Sequence, residues 1–331
     1  MVRKFLGAAT ALVLMTGLSQ AGDYPERELL GVVMWGAGGA TDTVARSVNP
    51  AAEEALGKPI VVLNKSGGAG AISMAYVNAA PADGYTILYG AENPQLHPVM
   101  GVSDLDYSGF YPVNILGRGV AVITVPADSK YTSMADLMAD IKANPGTVKM
   151  GSTGPGGLPS TVGALIKNSA DFDVIPIPFG GEGPGLTAML GHEVDFMPAG
   201  ISAAAEQVKA GTLRALAVVN PEPVAAMPDV PAITETIPGM AKYLPWGPFY
   251  GVFVKNETPD DVKATLVAAF DKAAKSEAFT TLMANKGNVL MGISGEEAKT
   301  FLTKWQQVTT WALQDIGAAK VSPETLGIPR P

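Results

Sequence analysis

Short apolar stretches alternate with longer stretches of helical spacing along most of the chain. The first runs from Leu29 to Trp35, breaks into a glycine-rich loop and continues as a helical pattern to Leu56. Similar strand–loop–helix units are predicted at 60–79, 148–169 and 174–190. This alternation predicts an α/β protein with parallel sheets covered on both faces.

The other predicted elements continue the same order. We predict strands at 85–89, 120–125, 195–197, 213–219 and 249–254, and helices at 133–143, 203–209, 259–275, 279–285 and 296–316. In the last helix, one face carries Ala298, Phe301, Trp305, Val308 and Ala312. We expect that face to dock on its own domain.

Two segments interrupt the pattern and suggest where domains meet. Residues 91–112 have no clear period and are predicted to cross the surface with little regular structure. Residues 221–248 hold seven prolines, which favours a long irregular connection and a hinge. We therefore predict one domain at 22–118 plus 228–331 and an inserted second domain at 119–227.

The N-terminal residues have the order of an export signal. Arg3 and Lys4 precede an apolar run of about 14 residues from Phe5 to Leu18, and small residues follow. That run is shorter than a bilayer span, which needs about 20 residues. We expect residues 1–21 to be a signal peptide cleaved near Ala21, and the mature protein to be periplasmic.

Composition narrows the classes of partner and chemistry. The formal charge of −8 becomes −10 without Arg3 and Lys4, which disfavours nucleic acid as a partner. The chain has two histidines, His97 and His192, and no cysteine, and neither histidine has metal-ligand spacing. We expect both histidines on the surface or in loops, and no metal or cofactor.

Enzyme and nucleotide signatures are incomplete. The G-x-S-x-G pattern fails at Met150, two residues before Ser152. The loop at 36–41 has Thr where a dinucleotide fingerprint needs a third Gly or Ala, and no glycine loop has the Lys of a phosphate-binding loop. The sequence therefore favours a binding protein over an enzyme.

Four glycine-rich loops each follow a predicted strand and precede a predicted helix, at 36–42, 66–70, 151–157 and 179–185. Ligands of α/β sheets bind at such strand ends, where helix N-termini offer free N–H groups. Because these loops contain no Lys or Arg, an anion would be held by amides and by the hydroxyls of Thr41, Ser66, Ser152 and Thr153. Any one loop could be a plain tight turn, but four in register favour an anion site.

Acidic and aromatic residues near these loops have open roles. Asp42 is interpreted as a helix-start residue paired with Arg46. Glu92 and Glu182 are either solvated or in contact with an ammonium, hydroxyl or protonated carboxyl of a ligand. Phe179 and Trp246 are our choice for an apolar cleft wall.

The residues around these loops resemble the Bug family, the substrate-binding receptors of tripartite tricarboxylate transporters. The resemblance covers nearly all of the mature chain. It rests on motifs that occur in order at 38–42, 45–46, 56–59, 62–65, 67–70, 83–86, 154–156, 179–181, 191–195 and 213–217.

The resemblance implies a periplasmic-binding-protein type II fold, with two α/β domains and a ligand cleft between them. It implies that one ligand carboxylate is held at Gly39 to Asp42 and, in the other domain, at Ser152, Thr153, Phe179 to Gly181 and Ala199–Gly200. His192 and Glu182 depart from the family pattern. The complete predicted site is Trp35, Gly38, Gly39, Ala40, Thr41, Asp42, Ser66, Glu92, Asn93, Ser152, Thr153, Gly156, Phe179, Gly180, Gly181, Ala199, Gly200 and Trp246.

Three functions follow as hypotheses. The first is a monomeric receptor that binds a di- or tricarboxylate or an aromatic acid and delivers it to a membrane permease. The second is an exported enzyme acting on a small organic acid, which the missing catalytic signatures disfavour. The third is a sensor subunit that presents the bound ligand to a signalling partner, and the sequence does not separate it from the first.

Overall fold

The computed structural model of the protein describes residues 24–153, 156–179 and 182–331. The predicted signal peptide at 1–21 lies outside these ranges. None of the helices in these ranges has both the length and the apolar character needed to cross a membrane.

Strands and helices alternate through the described chain. The strands are β1 (Leu29–Val33), β2 (Ile60–Asn64), β3 (Thr86–Gly90), β4 (Phe110–Arg118), β5 (Ala121–Pro126), β6 (Lys149–Ser152), β7 (Ile175–Pro178), β8 (Met197–Gly200), β9 (Leu213–Val218), β10 (Phe249–Lys255) and β11 (Val289–Ile293). The helices are α1 (Ala40–Leu56), α2 (Ala71–Ala79), α3 (His97–Met100), α4 (Met134–Ala143), α5 (Leu158–Lys167), α6 (Glu182–Leu190), α7 (Ile201–Lys209), α8 (Ile233–Thr236), α9 (Asp260–Ala274), α10 (Glu277–Asn285) and α11 (Gly295–Asp315). The α/β class is confirmed.

The strands form one large sheet and two small ones. The large sheet has the order β11-β4-β10-β3-β1-β2, and the small sheets have the orders β8-β5-β9 and β6-β7. A parallel bridge between Met150 and Phe196 connects the two small sheets. The helices α1, α9 and α10 bury one face of the large sheet, with Phe270, Leu266 and Val48 in the core.

The sheets are mixed, so the expectation of parallel sheets is wrong in part. β1 pairs in parallel with β2 and β3, but β10 is antiparallel to β3 and β4. β5 is antiparallel to both of its neighbours. Strand direction depends on how distant segments pair, which helix–strand alternation does not encode.

The interpretation of residues 91–112 as an irregular surface crossing is also wrong. This segment contains a 3₁₀ turn at Asn93–Leu96, the short helix α3 and the start of β4, a central strand of the large sheet. Pro112 concealed the strand because proline cannot donate a ladder hydrogen bond. In the sheet, Pro112 pairs with Phe253 at a register shift, where a missing donor is tolerated.

Helix boundaries agree well with the local signals in the sequence. The cap of α4 is Ser133, whose hydroxyl accepts from the Asp136 amide while the Asp136 carboxylate accepts from the Ser133 amide. α1 ends at Gly57, which has a left-handed backbone (φ 68°).

The final helix α11 packs on elements of both halves of the chain. Its apolar face buries Ala298, Trp305, Val308 and Ala312, which confirms most of the predicted face. The Asn168 side chain, just after α5, donates to the carbonyl of Ala312 (3.4 Å). The helix is therefore a shared support for the large sheet and for α5.

Three segments connect the large sheet to the three-stranded sheet. Gly119, after β4, donates to the carbonyl of Pro248 just before β10 (2.7 Å). The Arg118 guanidinium donates to the side chain of Asn220 (2.6 Å), after β9. Residues 233–244 bury Ile233, Ile237, Met240 and Leu244 in a core shared with α4 and α5. These contacts favour a return of the chain to the first domain near Gly247. The predicted domain boundary at 227/228 stays a prediction.

Gly247 lies where two crossing segments touch, and we expect replacing it by Ala to destabilise the fold. A Cβ on Gly247 would lie 2.1 Å from the carbonyl oxygen of Gly119. Because the obstacle is backbone, Gly247→Ala should lower the free energy of unfolding by about 1–3 kcal/mol, measured by urea denaturation. Gly109→Ala is the control, since nothing lies within 4 Å of its Cβ position. Equal stability of the two variants would show that the crossing tolerates the methyl group.

Candidate functional site

The first glycine loop connects β1 to α1 and leaves the start of that helix uncapped. Gly39 is the N-cap residue and supplies no side-chain hydrogen bond. The first N–H groups of α1, from Ala40 onward, therefore have no intrahelical acceptor. Thr41 is only 5% exposed, and its hydroxyl has no hydrogen-bond partner within the described ranges.

Asp42 holds this loop in place. Its carboxylate accepts hydrogen bonds from the Gly38 amide (2.8 Å), the Arg46 guanidinium (2.9 Å) and the Asn64 side chain (2.9 Å). Burial by itself would raise the pKa of Asp42, but these three donors lower it below its ordinary value. We call these three hydrogen bonds to the Asp42 carboxylate the Asp42 clamp. The predicted pairing with Arg46 is confirmed, and Asn64, a polar residue at the end of β2, is a donor that the sequence analysis missed.

We expect Asp42→Asn to destabilise the folded protein by about 1–3 kcal/mol, because an amide cannot accept from all three donors as a carboxylate does. Since the pKa of Asp42 is lowered on folding, this contribution is present at neutral pH and is lost as the pH falls through that lowered pKa. Chemical denaturation at several pH values measures it. Asp260→Asn, at a fully exposed helix start, is the control, and an equal small loss in both variants would contradict the clamp.

The second glycine loop is fixed by a buried histidine. Gly67, Gly68, Ala69 and Gly70 all have positive φ, so the loop turns tightly. His97 is 1% exposed, with its ring nitrogens 2.9 Å from the carbonyl of Ala69 and 3.1 Å from that of Leu105. The expectation of His97 on the surface or in a loop is therefore wrong: it begins α3, and two backbone carbonyls compensate its burial. Ser66 is exposed.

His192, by contrast, is exposed as expected. It lies in the turn after α6, with a left-handed backbone and an imidazole nitrogen 3.4 Å from the carboxylate of Asp128. Within the described ranges, no three His, Cys, Asp or Glu residues are grouped so that they could hold a metal ion.

The later glycine loops follow β6 and β7. Ser152 ends β6, is 3% exposed, and lies 2.7 Å from Ser160 between hydroxyl oxygens. Thr153 is partly buried, and Gly156 has a left-handed backbone. A Cβ atom placed on Gly156 would lie 3.5 Å from the Leu96 side chain. The loop after β6 therefore lies beside the 3₁₀ turn Asn93–Leu96, which follows β3 of the large sheet.

Phe179 lies at the end of β7, beside the loop after β6. Its amide donates to the carbonyl of Ser152 (2.8 Å), so the ends of β6 and β7 are joined, and its ring is partly buried. Gly180 and Gly181, the next two predicted residues, lie outside the described ranges. Ala199 and Gly200 end β8 and are fully buried. The Gly200 amide donates to the carboxylate of Glu182 (3.0 Å), so it is already used within the protein.

The two predicted tryptophans differ in setting. Trp35 is partly buried beside the first glycine loop, and its carbonyl accepts from Asn64 (2.9 Å). Trp246 is 3% exposed and stacks on Trp305 with ring centroids 6.1 Å apart. Its indole nitrogen donates to the hydroxyl of Thr309 (2.9 Å). The structure therefore places Trp246 in the core, and its role as a cleft wall stays a prediction without structural support.

Glu92 and Glu182 are both partly buried, so neither is a freely solvated surface acid. Burial, with the nearby Glu182, raises the pKa of Glu92 to about 7, although backbone N–H groups of Glu92 and Phe249 act in the opposite direction. Burial also raises the pKa of Glu182, against the hydrogen bond from Gly200. Burial raises the pKa of Tyr250 on β10, and the two acids raise it further. The sequence analysis missed this residue because its strand reads as uniformly apolar.

A largely apolar cavity of about 400 Å³ adjoins this region. It lies between β7, α5 and the end of α11, with Met150, Phe172 and Leu313 among its walls. Among the described residues of the predicted site, Ser152 alone lines it. The cavity is therefore distinct from the glycine loops at the start of α1.

Separate sheets connected by crossing segments, with glycine loops at their strand ends, define a solute-binding protein of the periplasmic-binding type. The chain belongs to a family of transport receptors: residues 44–311 match the model described as "Tripartite tricarboxylate transporter family receptor".

Individual relatives agree with this assignment. The UPF0065 protein in the tcbD-tcbE intergenic region of Pseudomonas sp. (strain P51) is 31% identical over 82% of this chain and 81% of its own length. The solved structure of the periplasmic binding protein BugD is 26% identical, with a TM-score of 0.73 over 89% of this chain and 99% of its own. The R. palustris protein Rpa4515, solved with adipate, is 24% identical, with a TM-score of 0.77 over 90% and 99%.

The raised pKa of Glu92 predicts how Glu92→Gln changes stability with pH. The pKa of Glu92 in the folded protein, about 7, exceeds the ordinary value of 4.5, so the folded protein keeps this proton up to a higher pH than the unfolded chain. The free energy of unfolding therefore falls as the pH rises through that interval. A glutamine does not titrate. The variant should therefore match the wild type near pH 4 and be more stable by about 1–3 kcal/mol at pH 8, measured by chemical denaturation. Exposed Glu193→Gln is the control; a constant difference at all pH values would contradict the shift.

Proposed function

We propose that the protein is an extracytoplasmic receptor that binds a small organic carboxylate and delivers it to the permease of a tripartite tricarboxylate transporter. Membership in the receptor family supports this proposal. The ligand classes we propose are di- and tricarboxylates and aromatic acids. Binding would favour the arrangement in which both sets of glycine loops contact the ligand.

The observation that carries the proposal is Thr41 beside the uncapped start of α1. The residue is 5% exposed, and its hydroxyl has no hydrogen-bond partner among the described residues, so a ligand can supply one. The adjacent N–H groups of the first helical turn lack intrahelical acceptors, and the positive end of the helix dipole favours an anion. A ligand carboxylate would satisfy both, because it accepts several hydrogen bonds at once.

On the facing side, we propose contacts from Ser152, Thr153, Gly156 and Phe179, with Gly180 and Gly181 beyond the described ranges. Asp42 supports the first loop from behind and does not contact the ligand in this proposal, because its three donors occupy the carboxylate. The amide of Gly200 is likewise engaged by Glu182.

We also propose a periplasmic location, with residues 1–21 removed as a signal peptide, and a monomer made of two domains. The export pattern at Arg3, Lys4 and the apolar run after them supports the location. The chemistry proposed is capture and release, so the ligand should leave unchanged.

A ligand panel tests the proposal. At least one compound among aliphatic dicarboxylates, tricarboxylates and aromatic acids should raise the melting temperature of the purified protein. At a concentration 100 times Kd, the stabilisation should be about 2.7 kcal/mol. Chromatography should then recover the ligand intact. Stabilisation by a sugar or a metal ion and by no carboxylate would refute the proposal, and consumption of the ligand would indicate an enzyme.

Thr41→Val tests the site itself. Valine has nearly the same shape but no hydroxyl, and a hydrogen bond to a charged acceptor is worth about 1.5–3 kcal/mol. The affinity for the best carboxylate should therefore fall by about 10- to 100-fold in isothermal titration calorimetry. Stability without ligand should be unchanged, since the hydroxyl has no partner to lose.

Thr303→Val is the matched control, because Thr303 is exposed on α11. It should leave both the affinity and the stability unchanged. If Thr41→Val binds the carboxylate with wild-type affinity, the Thr41 hydroxyl does not contact the ligand. If the variant is less stable without ligand, the hydroxyl has a structural role.

A further inference from the structure

The apolar cavity beside β7 lies apart from the start of α1, where the ligand carboxylate is proposed to bind. Its volume is about 400 Å³. Protein interiors are close-packed and hold few voids larger than a water molecule. An apolar cavity of about 150 Å³ is enough to bind benzene. The cavity therefore has the size of a site for a molecule of one or two rings.

The floor of the cavity is one face of β6 and β7. Parallel pairing places Met150 opposite Pro176 and Ser152 opposite Pro178. These four side chains therefore lie on the same side of the two strands. The other walls come from α5, the segment after it and the end of α11, and include Ala164, Phe172, Leu313 and Ile316.

Two of these side chains favour an aromatic occupant. Phe172 is 5% exposed and lines the cavity together with the thioether of Met150. Contacts between aromatic rings, and between sulfur and a ring, are favourable beyond the burial of apolar area. A flat ring also loses less conformational freedom on binding than a flexible aliphatic chain does. The walls therefore suit an aromatic ring.

The free edge of β7 disfavours a peptide as the occupant. Within the described chain β7 pairs only with β6. The N–H groups of Ile175 and Phe179 point towards β6, because they donate to backbone carbonyls there at 2.9 Å and 2.8 Å. The alternate positions, Pro176 and Pro178, face the free edge, and proline has no N–H group. A peptide strand added at this edge would find no donors at these two positions.

Lys167 supplies a positive charge at the cavity. It lies in the last turn of α5 and is exposed. Asp171 and Asp315, each next to a wall residue in sequence, are paired with other cations at 3.9 Å and 2.8 Å, and no carboxylate of the described ranges pairs with Lys167. None of the wall residues in these ranges is acidic. The cavity therefore presents one positive charge and no negative charge.

We propose that this cavity is a second ligand site, which takes a small aryl anion: one or two fused aromatic rings with one negative group. The rings pack between Phe172, Met150 and the end of α11, and the negative group lies near Lys167. Burial of the rings provides most of the affinity, because an ion pair with an exposed lysine adds little. The site goes beyond the proposed function, since carboxylate binding at Thr41 does not require it.

Naphthalene-2-sulfonate is the probe for this site. Isothermal titration calorimetry follows its binding to the purified protein, both alone and saturated with the tightest-binding carboxylate of the ligand panel. One molecule should bind per protein, with the same affinity in both titrations. The uncharged naphthalene-2-sulfonamide has the same rings and should bind about two- to fivefold more weakly.

Lys167→Gln tests the charge. This variant should bind the sulfonate about two- to fivefold more weakly than the wild type and the sulfonamide equally well. Lys209→Gln is the matched control, because Lys209 is an exposed lysine in the last turn of α7. It should bind both compounds as the wild type does.

Ala318→Trp tests the cavity itself. Ala318 is partly buried, lines the cavity and follows α11, so a larger side chain there occupies the space of the rings. Both compounds should bind about tenfold more weakly or worse. Ala210→Trp, at an exposed alanine just after α7, is the control. Ala164→Leu fills the cavity from α5 and should repeat the result, and far-UV circular dichroism and melting curves establish that each variant is folded.

The outcomes are distinct from those of the proposed function. Absence of sulfonate binding, or binding that Ala318→Trp and Ala164→Leu leave unchanged, would refute the second site. Binding that the saturating carboxylate or Thr41→Val abolishes would place the sulfonate at the start of α1 and refute it as well. Equal affinities of the wild type for sulfonate and sulfonamide would refute the anionic ligand class. None of these results changes the carboxylate affinity on which the proposed function depends.

Discussion

The buried carboxylate of Asp42 is the contact on which the binding surface depends. It joins the glycine loop, α1 and the end of β2 through donors from Gly38, Arg46 and Asn64. Because the Arg46 guanidinium pairs with this carboxylate, its repulsion of a nearby anion is weakened. The loop is held without using the first amides of α1 or the hydroxyl of Thr41. A short glycine loop thereby becomes a preorganised acceptor site for a carboxylate.

Glu92 and Glu182 differ electrostatically from Asp42. Burial raises the pKa of both glutamate carboxyl groups, whereas three hydrogen-bond donors lower the pKa of Asp42. In the folded protein Asp42 therefore stays ionised to lower pH, while Glu92 and Glu182 hold their protons to higher pH. Acids of the same kind thus take different charge states because the fold gives them different surroundings.

The parts of the fold that local sequence determines were predictable. Glycine-led helix starts and the Ser133–Asp136 cap are local signals, so α1, α4 and α11 lie close to their predicted ranges. Non-local features were not predictable: β4 is concealed by Pro112, and strand direction is set by pairing between distant segments. The same holds for the site. Thr41 and Glu92 could be named from their loops, but no local pattern separates a core residue such as Trp246 from a partly buried one such as Phe179.

A crystal structure of the protein with its tightest-binding compound tests the central claim most directly. We predict a ligand carboxylate within hydrogen-bonding distance, about 2.7–3.2 Å, of the Thr41 hydroxyl and of the first amides of α1. A ligand bound elsewhere, for example in the apolar cavity beside Phe172 and Leu313, with Thr41 still unpaired, would contradict it.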